Sequence, residues 1–413
     1  MTLHSVDLDG SEEQVGASRV RASIRSEKDA LDAVGNLAEL IRKHSRAARE
    51  ERRLHAGTIE ALSGVGLFDL MTPLKYGGSE LGLGTLVSTT ARIAECCGST
   101  AWVFQVFAGH NWLISLFADE AQAEIFQSTN PLSASCTRAV GDIRREGGGV
   151  SLHGVRGRFC SGIDHAGWIV LVARIEEGDG NTAPGIIIVP QSSAEIIDDW
   201  HTSGMRGTGS KSFSIEELFV PGHRVLSMKT IASGQAPGLA SLDAAIYRAP
   251  FPQILPLQLA GAPLGLAKAA VKVFVDAKAE KLGAASEVEL AEQTPTYLLV
   301  SDVSAEIDAA FALVQADCDL IDNVGAPESL TPLNRARYIR NVSHAIQKCR
   351  AAVNRLYEAS GGSAIYATHG LNSIWCDINA GAAHAAFQTE RGGTMYGREI
   401  LGLPPSPSFR IGQ

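Results

Sequence analysis

Two histidines stand in surroundings with few other groups able to move a proton. His384 lies in AGAAHAAF (380–387), beside Ala382, Ala383, Ala385 and Ala386 and with no acid among them. A free imidazole has a pKa of about 6.5, suited to taking a proton at neutral pH, so His384 is the better general base. Its small neighbours leave room for a ligand; packing among alanines is the plainer reading. His110 lies in GHNWL, within an apolar helix that carries Trp102, Val103, Phe104, Val106 and Phe107. A lone histidine there is more often a satisfied core residue.

Other positions offer hydroxyls and backbone amides. Ser161 opens a Ser-Gly turn at a strand end, where serine commonly caps its own backbone. RGTGS (206–210) is a Gly-rich loop before a strand, and its amides and Thr208 could hold a phosphate or a ring edge. Gly361, Gly362 and Ser363 read equally as a phosphate-binding helix start and as a helix C-cap. Arg248, in YRAPFP, would meet an anion or solvent. His165, His201, His223 and His369 read as structural or exposed. There is no Walker motif, GxGxxG or GxSxG.

These residues need elements to position them. Ala30, Leu31, Val34, Leu37, Ala38 and Ile41 recur at helix spacing, as do Leu86, Thr90, Ile93, Ala94 and Cys97. VSLHGVRGRF (150–159), GWIVLVARI (167–175) and PGIIIVP (184–190) predict antiparallel strands, with EEGDGNTAP (176–184) a loop. Helical periodicity returns in Ala267–Val275, in Val303, Ile307, Ala310, Phe311, Val314 and Cys318, and in Ile339, Val342, Ile346, Cys349 and Val353. The expected organisation is a disordered lead-in (1–26), a helical domain (27–130), a β domain (131–245) and a helical bundle (246–413). The bundle is expected to hold four long helices between Pro263 and Glu399, the last carrying His384.

The 413 residues allow two or three packed units. A net charge of −9 with no basic block argues against nucleic acid. No apolar run reaches the roughly 18 residues that span a bilayer, so no membrane is expected. The polar N-terminus lacks a secretory h-region. Seven cysteines without a CxxC pair disfavour zinc or a disulfide framework, so no metal is expected and a cytoplasmic location fits best.

Six motifs then fall in order. GLFDLMTPLKYGGSELGL (66–83) resembles the entry motif of the acyl-CoA dehydrogenase superfamily. CGSTAWVFQVFAGHNWL (97–113), RFCSGIDHAGWIVL (158–171), WHTSGMRGTGSKSFSIEELFVP (200–221), EASGGSAIY (358–366) and DINAGAAHAAFQTERGGTMYGREILGL (377–403) resemble its group D flavin-dependent monooxygenase branch. These are oxygenase components of two-component aromatic hydroxylases. The resemblance implies an α+β, mainly α fold: an N-terminal helical domain, a central antiparallel β-barrel domain and a C-terminal four-helix bundle.

The resemblance also implies reduced flavin (FMNH2 or FADH2) and O2, a flavin C4a-hydroperoxide, and hydroxylation of a phenolic or other electron-rich aromatic. A separate NAD(P)H:flavin reductase would supply the flavin, and the assembly would be a homotetramer. Ser161 would sit beside flavin N5, where a hydrogen bond would hold the N5 proton. Ser135, Thr137, Ser161, Gly162, Thr208, Gly209, Ser210, Arg248, Gly361 and Gly362 would bind the cofactor. Trp102, His110, Asn111 and His384 would line the substrate pocket, with His110, Ser161 and His384 catalytic.

Two departures stand out. Cys376 replaces a common arginine, and AKAEKLGAASEVELAEQ (277–293) stands where dehydrogenases carry an Arg–x–x–Phe cluster, consistent with an exchangeable flavin. The alternatives are N-hydroxylation of an amine, as in nitrososynthases, and S-oxygenation of a thiophene. More remote are an acyl-CoA dehydrogenase-like oxidase, disfavoured by the missing carboxylate, and a non-enzymatic flavin-fold protein.

Overall fold

The computed structural model describes residues 24–177, 180–249, 251–283, 293–323 and 331–404. The expected lead-in lies almost wholly outside these residues, as does most of 277–293. Helix α1 (Glu27–Glu51) starts at Ser26, whose hydroxyl accepts the Asp29 N–H. Glu27 and Asp29 lie where the helix dipole favours acids. It buries Ala30, Val34, Ala38 and Ile41, the face that the periodicity predicts. Helices α2 (Ala56–Gly64), α3 (Leu83–Ala94), α4 (Gly98–Ile114) and α5 (Asp119–Phe126) follow. Every residue of α4 is buried, which is why it is apolar all round.

Eight strands make one sheet: β1 (Ser133–Cys136), β2 (Val140–Glu146), β3 (Gly149–Cys160), β4 (Trp168–Glu176), β5 (Thr182–Pro190), β6 (Glu195–Ile197), β7 (Lys211–Pro221) and β8 (Val225–Ser227). The order is β6-β7-β3-β2-β4-β5-β8, with β1 beside β4. Most pairs are antiparallel, but β1 runs parallel to β4. The intervening β2–β3 hairpin supplies the long connection that a parallel pair requires. The register of β3 against β7 shifts between Gly157 and Cys160. There Phe159 takes a φ of 61°, a left-handed conformation that costs a non-glycine residue roughly 1–3 kcal/mol. This bulge turns the end of β3 towards α4.

The C-terminal part differs in detail from four long helices. After α6 (Met228–Ala232) come α7 (Phe251–Gln258), α8 (Gly261–Leu282), α9 (Thr294–Asp322) and α10 (Pro332–Ala359). The place of a fourth long helix is taken by α11 (Gly370–Gly381), packed on α8, and α12 (Thr389–Ile400), packed on α10. His384 therefore lies in the bend between two short helices, not within one. The stretch Phe251–Glu280 is apolar and long enough to cross a bilayer, but 83% of its most apolar part is buried in the fold.

The bundle and the N-terminal helices share one core. Gly265 of α8 lies against the Ala91 backbone of α3, where any side chain would collide. Asp322, at the end of α9, accepts the Leu83 and Gly84 N–H groups at 2.7 and 2.9 Å. It thus caps α3 from another element.

Candidate active site

A cavity of about 600 Å3 opens where α4, the sheet, the 200–210 loop, α7 and the α11–α12 bend meet. Trp102, Val106 and His110, spaced by four residues, present one face of α4 to it. Ser135 and Thr137 come from the end of β1, Ser161 follows the β3 bulge, and Thr208 and Ser210 precede β7. Phe159 and Trp200 pack edge to face at the rim, and Leu255, Gln258 and Leu259 close the α7 side. Ala380, Gly381, Ala383 and Ala385 surround His384. No Asp, Glu, Lys or Arg is among the lining residues.

Hydrogen bonds set the two imidazoles differently. His110 Nδ1 lies 2.7 Å from the Ser133 carbonyl. A carbonyl only accepts, so Nδ1 carries the proton and Nε2 keeps a lone pair. His384 Nδ1 accepts the Ala386 N–H at 3.1 Å, so in the neutral ring Nε2 carries the proton. Burial lowers both pKa values: His110 falls to about 4, partly offset by its bond to Ser133, and His384 also falls. The His384 ring meets Trp102 edge to face at 5.8 Å.

The hydroxyls form a chain. Trp102 Nε1 donates to Ser161 Oγ (3.2 Å), Ser161 and Ser210 are 2.7 Å apart, and Ser210 and Thr208 are 2.7 Å apart. Thr208 donates to the Met205 carbonyl at 2.8 Å. Gly162 donates to the Thr208 carbonyl (2.8 Å), tying β3 to this loop. Gly162 has a φ of 76°, and a Cβ there would meet Phe107 and Val103 at 2.6 and 2.7 Å, so only glycine fits. Met205 itself is left-handed (φ 52°), and its N–H donates to Asp377 of α11 at 2.6 Å. Burial pushes the Asp377 carboxyl up to about 6, although Arg49, 3.8 Å away, and the Met205 N–H favour its charge.

Two family models match the chain: Acyl-CoA dehydrogenase, N-terminal domain, over residues 27–127, and Acyl-CoA dehydrogenase, C-terminal domain, over 257–389. The chain is 32% identical over 398 residues to the flavin-dependent monooxygenase oxygenase subunit HsaA of Mycobacterium tuberculosis, covering 93% of this chain and 98% of that one. A crystal structure of that HsaA superposes with a TM-score of 0.87, at 31% identity over 93% of this chain and 100% of HsaA. The oxygenase component of the FADH2-dependent resorcinol hydroxylase of a Rhizobium species is 30% identical, over 91% and 95% of the two chains. XiaF from a Streptomyces species, solved with FADH2 and glycerol, aligns with a TM-score of 0.84 at 27% identity, over 92% and 96%.

The chain belongs to the oxygenase subunits of flavin-dependent monooxygenases.

The oxygenase uses reduced flavin and O2, and as one component of a pair it draws that flavin from a separate reductase. Its cavity suits the group. One wall carries hydroxyls for the polar edge of a flat ring, and the others are aromatic and aliphatic for its faces. Of the residues expected here, Trp102, Ser135, Thr137, Ser161, Thr208, Ser210, His110 and His384 all line it. Gly162 and Gly209 shape the backbone beside it.

Besides Gly162 and Gly209, four more expected residues do not line the cavity. Asn111 points away and donates to the Phe68 carbonyl and Thr72 hydroxyl, because α4 turns that face to the N-terminal core. Arg248 folds back on the carbonyls of Leu242 and Asp243. Gly361, with a φ of 69°, follows the Ser360 cap of α10, which is the C-cap alternative, and Gly362 opens the next 3-10 turn.

Val106 was legible as the residue midway between Trp102 and His110 on one helix face. Gln258, whose amide donates to the Gln105 carbonyl, and Asp377 had no local signal; they reach the site only through tertiary packing.

Proposed function

We propose that this oxygenase hydroxylates an uncharged phenol. The observation that carries the proposal is a cavity with no Asp, Glu, Lys or Arg among its described lining residues, in which two neutral histidines offer opposite hydrogen-bonding faces. A thioester dehydrogenase needs a carboxylate to take an α-proton, and none is among the described residues that line this cavity.

Reduced flavin, when bound, supplies the activation of O2 and delivers one oxygen atom. The protein's residues do the rest. His110 Nε2 accepts the phenol O–H, which raises electron density at the ortho carbon. His384 Nε2–H donates to the same oxygen and steadies its developing charge. With a pKa of about 4, His110 acts as a hydrogen-bond acceptor that takes the proton as the ring carbon gains oxygen, not as a base that ionises the phenol beforehand. This exchanges the roles expected from the sequence, where His384 is the base. The aromatic and aliphatic walls keep water out.

The free cysteines support a reducing, cytoplasmic setting. The exposed apolar residues Ile400, Leu401 and Leu403 support burial in a homotetramer.

Oxygen uptake with FMNH2 and FADH2, with products identified from a panel of phenols, indoles, amino sugars and thiophenes, tests the reading. Hydroxylated phenols are the expected product. Turnover of amines or thiophenes alone would overturn it.

A further inference from the structure

The polarity of the hydroxyl chain beside the cavity is set by its two ends, a Trp102 N–H that only donates and a Met205 carbonyl that only accepts. The Met205 carbonyl takes the Trp200 indole N–H and the Thr208 backbone N–H, and at 2.8 Å from Thr208 Oγ1 it also takes that hydroxyl's single proton. Thr208 must therefore accept from Ser210, and Ser210, its own proton spent, must accept from Ser161. Trp102 N–H can only donate, and it donates to Ser161. Every proton in the chain thus points from Trp102 towards Met205. Ser161 has given its proton to Ser210 and one lone pair to Trp102, which leaves one lone pair and no proton for a ligand.

Ser161 is 7% exposed and lines the cavity. Ser210, Thr208 and Met205 are almost fully buried in the cavity wall, so a ligand that fills the cavity leaves little room for water to replace a lost partner in the chain. The far end is fixed as well: Asp377 of α11 holds the Met205 N–H and the Trp200 indole N–H holds its carbonyl, and these contacts keep Met205 in its left-handed conformation.

We propose that Ser210 and Thr208 are positioning residues that make Ser161 an obligate hydrogen-bond acceptor towards the flavin, and so make the site select the reduced cofactor. This rests on the reading of the cavity as a flavin site with N5 beside Ser161. Reduced flavin carries a hydrogen on N5 and is a donor there. Oxidised flavin has only a lone pair at N5 and needs a donor. To bind the oxidised ring, Ser161 must withdraw its proton from Ser210 and leave a buried hydroxyl short of a partner. Selection of the reduced form suits a protein that receives flavin from a reductase and must release the oxidised product for recharging.

The test is anaerobic equilibrium binding of FMNH2 and FADH2, and binding of FMN and FAD, to the full chain and its variants. The quantity read is the ratio of oxidised to reduced dissociation constants. The wild type should favour the reduced form. Ser210→Ala frees the Ser161 proton, and Thr208→Val lets Ser210 turn its proton back to Ser161. Each should lower the ratio by roughly three- to tenfold, the effect of one hydrogen bond. Circular dichroism and thermal unfolding confirm that the variants are folded, and either variant alone suffices if the other fails. An unchanged ratio in a folded variant that still binds flavin would overturn the polarity proposal while leaving the flavin site intact. A wild type that binds both forms equally would also overturn it. Binding of neither form would overturn the flavin reading and this proposal together.

Discussion

His110 and His384 are chemically identical side chains that a hydrogen bond to Nδ1 turns into an acceptor and a donor. Their variants should therefore behave differently. His110→Gln keeps an acceptor oxygen but cannot take the proton, and should slow hydroxylation by about 10²–10⁴-fold, the usual loss for one general base. His384→Gln retains an N–H donor and should stay within about tenfold of the wild type. Single-turnover product formation checks both; equal losses would cancel the assignment. Because His110 titrates at about 4, hydroxylation should show no inflection near the pKa of free imidazole.

Stability follows the same group. The folded pKa of about 4 lies below the ordinary 6.5, so the folded state binds fewer protons between these values. The stability from neutral His110 is fully present above about pH 6.5 and is lost as pH falls through about 4, about 3 kcal/mol in all. His110→Gln lacks this dependence. The wild type's unfolding free energy in urea, relative to the variant, should fall between about pH 7 and pH 4. A constant difference would show that burial does not depress this histidine.

At the scale of elements, α11 holds the 200–210 loop through one carboxyl. Asp377→Ala leaves the Met205 N–H buried without a partner and should cost about 1–3 kcal/mol. It should also weaken reduced-flavin binding, since Met205 terminates the hydroxyl chain. The pH dependence runs opposite to that of His110. The Asp377 carboxyl is raised from 3.8 to about 6, so its contribution is fully present below 3.8 and is lost as pH rises through about 6. Asp377→Asn keeps an acceptor and never ionises. It should gain on the wild type by up to about 3 kcal/mol between about pH 4 and pH 7 in urea unfolding. No gain would mean that Arg49 compensates the buried charge fully.

At the scale of the molecule, the oxygenase is one half of a system. The purified protein should be nearly colourless and should bind reduced flavin without retaining the oxidised form. NADH oxidation by this chain without a reductase would contradict that division of labour. The apolar residues exposed at the end of α12 and just beyond it support the proposed assembly. Light scattering at micromolar concentration should give a tetramer, and Leu401→Asp should shift it to smaller species. A wild-type monomer would remove the tetramer from the proposal.

Local chemistry made much of this legible in the sequence. The stripes of α1, α9 and α10 and the β-branched runs of β3, β4 and β5 follow from periodicity, because burial on one face repeats with the element's own period. Strand β2 escaped because only Ile143 of its seven residues is buried, which leaves no alternation to read. The motif order also carried the family, and with it Trp102, His110, Ser161 and His384. What the sequence could not determine was direction. Asn111 sits one residue from His110, yet α4 turns it about 100° away, into the N-terminal core. Which nitrogen of each histidine bears the proton depends on Ser133 for one ring and Ala386 for the other. The polarity of Ser161 is set at Met205, and the geometry of Met205 is held by Asp377, 172 residues further along the chain. Such contacts exist only once α4, the sheet and α11 have packed, because a hydrogen bond's partner and sense are properties of distance and angle, which residue type and spacing do not encode.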